Sequence, residues 1–303
     1  MRRWLTRVLG LTRILAALTL CALSPAAFAE PLHPALYVVR DEDSTLYLFG
    51  TIHARPSGAD WGGPEAHRAL AEAQEVWTEL DFSAEADART AALVLQRGLA
   101  PPDETLSSWL TPEQRAEIEA MAQSLDVPFV YLDRMRPWLA AITLSMLPAI
   151  QAGYDPDSGA DRLVVREAGN HGARLRFFET PEEQIGFIAD MSETAQRQML
   201  LDALNQADAG MEDFQTLDRA WESGDADLLE QLVVEDLREQ YPELYETVFV
   251  RRNAAWMQIL EQEMRGAGVD FVAVGAGHLY GEHGLVAQMR ALGYSVERVR
   301  PAE

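Results

Sequence analysis

The sequence has no lysine and only one cysteine, and both shortages restrict the chemistry it can perform. All 25 basic residues are arginine, which excludes a lysine Schiff base, a Walker A lysine and a serine–lysine dyad. The single cysteine, Cys21, lies in a segment that we expect to be removed, leaving no cysteine nucleophile or thiolate metal site. The motifs Gly-x-Ser-x-Gly, His-Glu-x-x-His and Cys-x-x-Cys are absent too, so the usual serine hydrolase, zincin and redox signatures are missing.

Basic residues are also few relative to acidic ones. The chain carries 48 Asp and Glu against 25 Arg, a formal net charge of −23. Nucleic acids and anionic membrane surfaces are bound by basic patches, so this excess argues against both as partners. A hydrophobic share of 48% is too high for a disordered acidic chain, and 303 residues allow one large or two modest domains.

The N-terminus predicts a secretory signal over residues 1–29. Four arginines precede a short apolar run at 14–23, and Ala27-Phe28-Ala29 fits the small-x-small cleavage rule. The run is too short to span a bilayer, so we expect cleavage near Ala29 and a periplasmic or secreted protein. Lipidation of Cys21 is the alternative, although the bulky Leu20 precedes it where a small residue is usual.

Apolar patterning in the remaining chain predicts alternating strands and helices. A hairpin is expected over 35–40 and 45–49, and a last strand over 295–299. The other predicted strands are 75–80, 174–178 and 271–274, and the predicted helices are 64–73, 85–96, 111–125, a buried pair within 128–150, 161–168, 245–264 and 277–292. We therefore expect one α/β domain over 30–303, with a central mixed β-sheet built from N- and C-terminal strands. A large helical insertion, about 82–268, separates them.

Two segments repeat one design. A strand at 46–49 leads into Gly50-x-x-His53, and a strand at 271–274 leads into Gly275-x-x-His278. Ligands of open α/β sheets bind at the carboxyl ends of strands, and glycine permits a tight turn and a close approach of the backbone. The repetition predicts that both histidines reach one pocket. The alternative is two loop histidines that are hydrogen-bonded by nearby backbone.

A carboxylate, Glu79, ends a third apolar strand, with Asp81 two residues later. A carboxylate there must be solvated, paired or metal-bound. Alone it is a rim residue, but with His53 and His278 it completes a His/His/carboxylate set. Such a set suits either a divalent metal that activates water or a general base with electrophilic helpers.

On the helix predicted over 245–264, Asn253 shares a face with apolar residues, next to Arg252. A buried amide needs a partner or costs about 1–3 kcal/mol. Asn253 either bonds a neighbouring loop or positions a substrate, and Arg252 is a candidate for holding a carboxylate or an oxyanion. The glycines at 275, 277 and 281 imitate a dinucleotide fingerprint, but the βαβ context that this fingerprint requires is not predicted.

The ordered set of these segments resembles the TraB/PrgY/GumN family, which includes the Tiki metalloproteases. The resemblance extends over about residues 37–299. Its parts are Tyr47-Leu48-Phe49-Gly50-Thr51-Ile52-His53, Glu79-Leu80-Asp81, Gly153-Tyr154-Asp155, Phe178-Glu179-Thr180 with Glu183-Gln184, Arg252-Asn253 with Trp256, Val274-Gly275-Ala276-Gly277-His278-Leu279, Gly284-Leu285 and Gly293-Tyr294.

The resemblance implies an erythromycin-esterase- or ChaN-like fold and an exported hydrolase, most specifically a metal-dependent peptidase. It implies that His53, Glu79 and His278 are catalytic or metal-binding, with a divalent ion such as manganese or cobalt; by ligand type alone, two histidines and a carboxylate suit manganese, iron, cobalt and zinc about equally. Arg252 and Asn253 would support the reaction, and Gly50, Gly275, Gly277 and Asp81 would contribute to binding. The expected substrate is a peptide or small ester. The chain has no C-terminal hydrophobic segment like that of membrane-tethered relatives, so no stable membrane anchor is expected.

Two alternatives use the same pocket. One is a protein that binds or sequesters peptides without turnover, with binding that survives chelation of metals. The other is a metal-free hydrolase in which His53 or Glu79 acts as a general base on an ester.

Overall fold

The computed structural model describes residues 32–209 and 211–301, which form one compact unit from Leu32 onward. The predicted signal, with Cys21 and the cleavage position after Ala29, lies outside these residues. Across the part of the chain that is described, none of the helices has the length and apolar character needed to cross a membrane.

Six strands form the central sheet, in the order β6-β4-β7-β2-β1-β8. β2, β7, β4 and β6 run parallel to their neighbours in this group, whereas β1 is antiparallel to β2 and β8. The strands are β1 (Leu36–Arg40), β2 (Ser44–Thr51), β4 (Glu75–Thr78), β6 (Arg174–Phe177), β7 (Gly268–Gly275) and β8 (Ser295–Arg298), with β3 (Arg55–Pro56) and β5 (Tyr154–Asp155) pairing separately. The predicted mixed sheet of N- and C-terminal strands is confirmed, including the return of the chain to the sheet at β6.

Helices cover the sheet and build the insertion between β4 and β7. The α-helices are α1 (Gly63–Glu72), α2 (Ala84–Gly98), α3 (Pro112–Ser124), α4 (Phe129–Leu132), α5 (Pro137–Gln151), α6 (Ala160–His171), α7 (Pro181–Ala189), α8 (Glu193–Ala209), α9 (Met211–Ser223), α10 (Ala226–Leu229), α11 (Asp236–Gln240), α12 (Pro242–Tyr245), α13 (Arg251–Glu263) and α14 (Leu285–Ala291). Local sequence explains several starts. Thr111 forms a capping box with Gln114 at the start of α3, and Thr180 forms one with Glu183 at the start of α7; each helix also has a proline in its first turn.

Two predicted helices differ from the observed ones. The helix expected over 245–264 is interrupted by a π-helical turn, Glu246–Val250, before α13 begins. The prediction of a helix over 277–292 is wrong in its first half. A 3₁₀ turn, Ala276–Leu279, is followed there by a loop, and the helix α14 begins only after it. Gly281 has φ +78°, and a Cβ on Gly284 would lie 2.3 Å from the Tyr280 carbonyl oxygen, so the chain turns here.

The largest core lies around the sheet, where aromatic rings fill the space between β2, β7 and the covering helices. Phe49 packs against Trp61, Trp221 and Phe271, with ring centroids 5.4–6.3 Å apart. A separate apolar cluster within the insertion contains Ile118, Leu144 and Leu200. Close packing of this core fixes the ends of the strands, so the polar residues that follow the strands are held in defined positions.

A half-buried carboxylate on β7, Asp270, lies opposite Glu75 of β4. Burial and the charges of Glu263 and Glu75 raise its pKa to about 6, above the unfolded value of about 3.9. Ionisation of Asp270 therefore lowers the free energy of unfolding, and this decrease develops as the pH rises from about 4 to about 6. We expect Asp270→Asn to raise the free energy of unfolding by about 1–2 kcal/mol at pH 7.5 and by almost nothing near pH 4.

Urea unfolding of wild type and Asp270→Asn across this range measures the difference directly. Asp103→Asn, at an exposed loop position, is the matched control and should show no pH-dependent difference. An equal effect of Asp270→Asn at pH 4 and pH 7.5 would contradict the prediction.

Candidate functional site

Four polar side chains follow four neighbouring strands at one edge of the sheet. His53, Glu79 and Glu179 come one or two residues after β2, β4 and β6, and His278 lies in the 3₁₀ turn after β7. Because these strands are parallel, their carboxyl ends meet at the same edge. Glu79 Oε1 accepts a hydrogen bond from the Gly275 amide at 2.7 Å and lies 3.8 Å from His278 Nε2. The structure thus brings the predicted His/His/carboxylate set together.

Gly275 keeps the space between these groups open. A Cβ on this residue would lie 3.2 Å from Glu79 Oε1, 3.6 Å from His278 Cδ2 and 3.7 Å from His53 Nε2. Its φ of −48° is accessible to any residue, so backbone conformation is not the reason for glycine. The missing side chain instead avoids a close contact with Glu79 Oε1, and we call the space beside Gly275, between His53, Glu79 and His278, the Gly275 pocket.

Arg252, on α13, is the buried centre of the polar network. Its Nη2 donates to Glu79 Oε2 at 2.5 Å and to Glu179 Oε2 at 2.9 Å, while Nε donates to Glu179 Oε1 at 2.7 Å. Nη1 donates to His278 Nε2 at 3.1 Å and to the Val248 carbonyl at 3.3 Å. These contacts use all five N–H groups, so Arg252 acts on the pocket through its charge. The sequence left open that Arg252 donates to an oxyanion, but none of its N–H groups is free to do so in this arrangement.

The network fixes the state of His278. Asn253 Nδ2 donates to the His278 and His283 carbonyls, which turns Asn253 Oδ1 towards His278 Nδ1 at 2.6 Å. Nδ1 therefore carries the proton and Nε2 accepts from Arg252. Burial and the Arg252 charge lower the pKa of His278 to about 3, so it stays neutral. Asn253 thus makes the helix-to-loop bond and orients a site histidine.

His53 has the opposite environment. Its side chain is 66% exposed, and Nδ1 donates to Asp161 Oδ2 at 2.8 Å from the first turn of α6. Partial burial lowers its pKa, but the hydrogen bond and charge of Asp161 and the charge of Glu79 outweigh this effect and raise it to about 9. One buried neutral imidazole and one exposed basic imidazole therefore border the same pocket. Such separation of pKa values is typical of sites that transfer protons.

The two carboxylates that share Arg252 also differ. Burial opposes ionisation of Glu79, but the charges of Arg252 and His53 and the hydrogen bond from the Gly275 amide hold its pKa well below the usual range. Burial dominates at Glu179 and raises its pKa despite Arg252, with the charge of Glu79 acting in the same direction. Glu79 is thus the ionised carboxylate that faces the pocket.

The helical insertion braces the loop that carries His53. Trp221 of α9 donates through Nε1 to the Gly50 carbonyl at 2.7 Å. The Arg55 guanidinium stacks 4.6 Å over the Trp221 ring and donates to Glu222 at 2.5 Å. These bonds join a helix of the insertion to residues on both sides of His53.

The other predicted binding residues have packing or turn contacts. A Cβ on Gly50 would lie 3.0 Å from the Ala276 Cα, and one on Gly277 would lie 2.7 Å from the Phe249 ring. These two glycines let neighbouring segments approach each other, and of the three predicted glycines only Gly275 faces the pocket. Asp81 accepts hydrogen bonds from the amide and hydroxyl of Ser83, both at 2.8 Å.

A divalent metal held by His53, Glu79 and His278 would need three open donor atoms. His278 Nε2 faces Arg252, and the Glu79 oxygens accept from Arg252 and the Gly275 amide. Within residues 32–209 and 211–301, no group of three or more His, Cys, Asp or Glu side chains is arranged to hold a metal. The donors as arranged here therefore do not fit a resident ion.

Sequence reasoning assigned no role to two residues of the site, Asp161 and Glu179. Glu179 follows β6 as Glu79 follows β4, so the strand-end argument applied to Glu79 would have found it. Asp161 carries a weaker signal, an acidic residue that follows Gly159 in the first turn of a helix. Its pairing with His53 depends on a contact between residues 108 positions apart.

A known protein family matches most of the chain. The model of the TraB/PrgY/gumN family matches residues 35–298, which include every residue of the Gly275 pocket and its network. None of the curated proteins compared with the chain matches it.

Proposed function

The chain belongs to the TraB/PrgY/gumN family, and from this premise we propose that it is an exported hydrolase that cleaves a peptide or small ester with water. The observation that carries the proposal is the convergence of His53 Nε2, Glu79 Oε1 and His278 on the Gly275 pocket. An exposed imidazole close to a buried, ionised carboxylate suits acid–base chemistry on a carbonyl.

In this proposal His53 moves the proton. Asp161 fixes Nδ1 and leaves Nε2 open, so neutral His53 takes a proton from the attacking water at Nε2 and returns it to the leaving group. Glu79 accepts a hydrogen bond from the same water and orients it. Arg252 and the Gly275 amide hold the Glu79 carboxylate in place by donating hydrogen bonds to it, and the Arg252 charge stabilises the negative charge that develops on the substrate.

An open cleft supports a peptide as the substrate. Its volume is about 900 Å³, and its lining includes Glu179, Phe178, Asp81 and Arg89. Glu179 bonds Arg252, so the cleft borders the polar network that surrounds Glu79. Aromatic surface with both signs of charge provides contacts for a peptide chain on either side of the cleaved bond.

A metal-dependent peptidase is the second version of this function. It is favoured by His53, whose Nδ1 is fixed by a carboxylate as in many metal-bound histidines. Binding of manganese, cobalt or zinc by His53, Glu79 and His278 requires Arg252 to leave His278 Nε2.

The deciding experiment is a hydrolysis assay with a panel of peptides and nitrophenyl esters. Purified protein is assayed untreated, after chelation, and after addition of Mn²⁺, Co²⁺ or Zn²⁺, and its metal content is measured. Turnover that survives chelation supports the His53 route, and turnover that requires an added ion supports the metal route. Saturable peptide binding without turnover would contradict hydrolysis and favour the sequestering alternative.

Export is tested separately by expressing the full chain and sequencing the N-terminus of the protein in each cell fraction. We expect a mature protein that begins at Glu30 outside the cytoplasm. A protein that retains residues 1–29 in the cytoplasm would contradict export.

Gly275→Ala tests whether the Gly275 pocket is the reaction centre. The added methyl group lies 3.2 Å from Glu79 Oε1 and occupies the space for the attacking water. We expect kcat/KM to fall by about 10²-fold and the thermal stability to fall only slightly, because the backbone conformation suits alanine and Glu79 has to shift by only a fraction of an ångström. Gly169→Ala, where an added Cβ meets nothing within 4 Å, is the matched control. Full activity of Gly275→Ala would place the reaction elsewhere.

A further inference from the structure

A cavity of about 720 Å³ lies within the helical insertion. Helices α3, α5, α8 and α9 and two π-helical segments, Glu230–Glu235 and Glu246–Val250, contribute to its walls. Most of the lining is apolar, including Leu144, Ala149 and Phe214. Close-packed interiors contain few voids larger than a water molecule, whereas small-molecule sites have this volume and apolar lining. We call this space the insertion cavity.

Both irregular helical segments turn side chains into the wall of this cavity. Val233 comes from the first segment and Phe249 from the second. π-helical turns are rare and recur at functional sites, where they redirect side chains. The same two side chains lie beneath the turn that carries His278. The Phe249 ring is 5.0 Å from the His278 ring. A Cβ on Gly277 would lie 2.7 Å from the Phe249 ring and 2.8 Å from Val233 Cγ1.

The charged part of the lining is acidic, and its other polar residues are Ser124, Ser145, Gln240 and Tyr241. Asp202, Asp213 and Asp236 contribute carboxylates, and no arginine or histidine is among the lining residues described. Asp202 is half-buried and accepts a hydrogen bond from the Tyr241 hydroxyl at 3.0 Å. Burial raises its pKa, and the negative charge of Asp236 acts in the same direction. A cation beside this pair would relieve the repulsion between the carboxylates.

We propose that the insertion cavity binds a small amphipathic cation, with an apolar body against Leu144, Ala149 and Phe214 and an ammonium group beside Asp202 and Asp236. The apolar wall and the acidic groups are complementary to the two parts of such a ligand. This site is separate from the Gly275 pocket, and the binding does not depend on the proposed hydrolysis. Its occupant would contact Val233 and Phe249, which support the His278 turn.

The test is titration calorimetry of the full chain with n-decylamine below its micelle concentration. n-Decanoate, which has the same apolar length and the opposite charge, is the paired probe. We expect one saturable site for the amine and affinity at least about tenfold lower for decanoate, because a carboxylate would face Asp202 and Asp236.

Two variants locate the site. Ser145→Trp places a large ring at an exposed lining position and should weaken amine binding by about tenfold or more. Asp236→Asn should weaken it by about threefold, as expected for an exposed charge pair. Ala91→Phe on the exposed face of α2 is the control for an added ring and should bind like wild type.

Unchanged amine binding in Ser145→Trp would overturn the proposal, as would equal binding of decylamine and decanoate or the absence of saturable binding. If Ser145→Trp fails to fold by circular dichroism, Leu232→Trp replaces it. Leu232 is a lining residue that is 37% exposed, and the same loss is expected there.

Discussion

Arg252→Met is expected to abolish hydrolysis and to lower the free energy of unfolding by about 3–5 kcal/mol. The variant keeps an apolar stem over the Trp256 ring but removes the only guanidinium that pairs with Glu79 and Glu179 among the described residues. Two carboxylates, both less than 10% exposed, are then left side by side without a positive partner. Glu79 loses its orientation, and the pocket loses the charge that favours an anionic transition state.

Urea unfolding and kcat/KM measure the two parts of this prediction. Arg252→Met combined with Glu179→Gln should recover part of the lost stability, because one of the two buried charges is gone. Arg252→Lys should recover little, since an ammonium group cannot pair with both carboxylates and with His278 as the guanidinium does. A loss of less than about 1 kcal/mol in Arg252→Met would contradict the network as described.

His53→Ala is expected to lower kcat/KM by about 10²–10⁴-fold while the free energy of unfolding changes by less than about 1 kcal/mol. The activity falls because the group that moves the proton is removed. Stability changes little because the side chain is two-thirds exposed and its one partner, Asp161, can bind water instead. This combination separates His53 from Arg252, whose loss affects both quantities.

The pH profile gives the second readout for His53. Because the neutral imidazole is the base, activity should rise with pH towards the His53 pKa of about 9. Asp161→Asn removes the charge that raises this pKa, so the rising limb should move to lower pH and maximal activity should fall by about tenfold. A rising limb that stays in place in Asp161→Asn would show that another group titrates.

The sequence predicted the positions of the strand-end groups well because parallel strands impose the geometry. Once 46–49, 75–80 and 271–274 are recognised as strands of one sheet, the residues after them must meet at one edge. The same argument explains why the mixed sheet was predicted correctly. The roles of His53, Glu79 and His278 in catalysis or metal binding stay predictions.

Contacts between distant segments were beyond the sequence. Arg252 is 73 residues from Glu179 and 173 from Glu79, and nothing in its helical pattern indicates that its charge serves both. The loop after His278 was not predicted, because the apolar residues around Gly281 and Gly284 recur with a helical period. The π-helical turn before Arg252 likewise leaves the apolar periodicity almost intact.

Turnover distinguishes hydrolysis in the Gly275 pocket from binding alone. It is measured as the number of product molecules released per chain when a cleavable peptide is present in large excess, for wild type and His53→Ala side by side. We expect many products per wild-type chain and almost none for His53→Ala over the same time. Release of no more than one product per wild-type chain, or equal turnover by the two proteins, would contradict it.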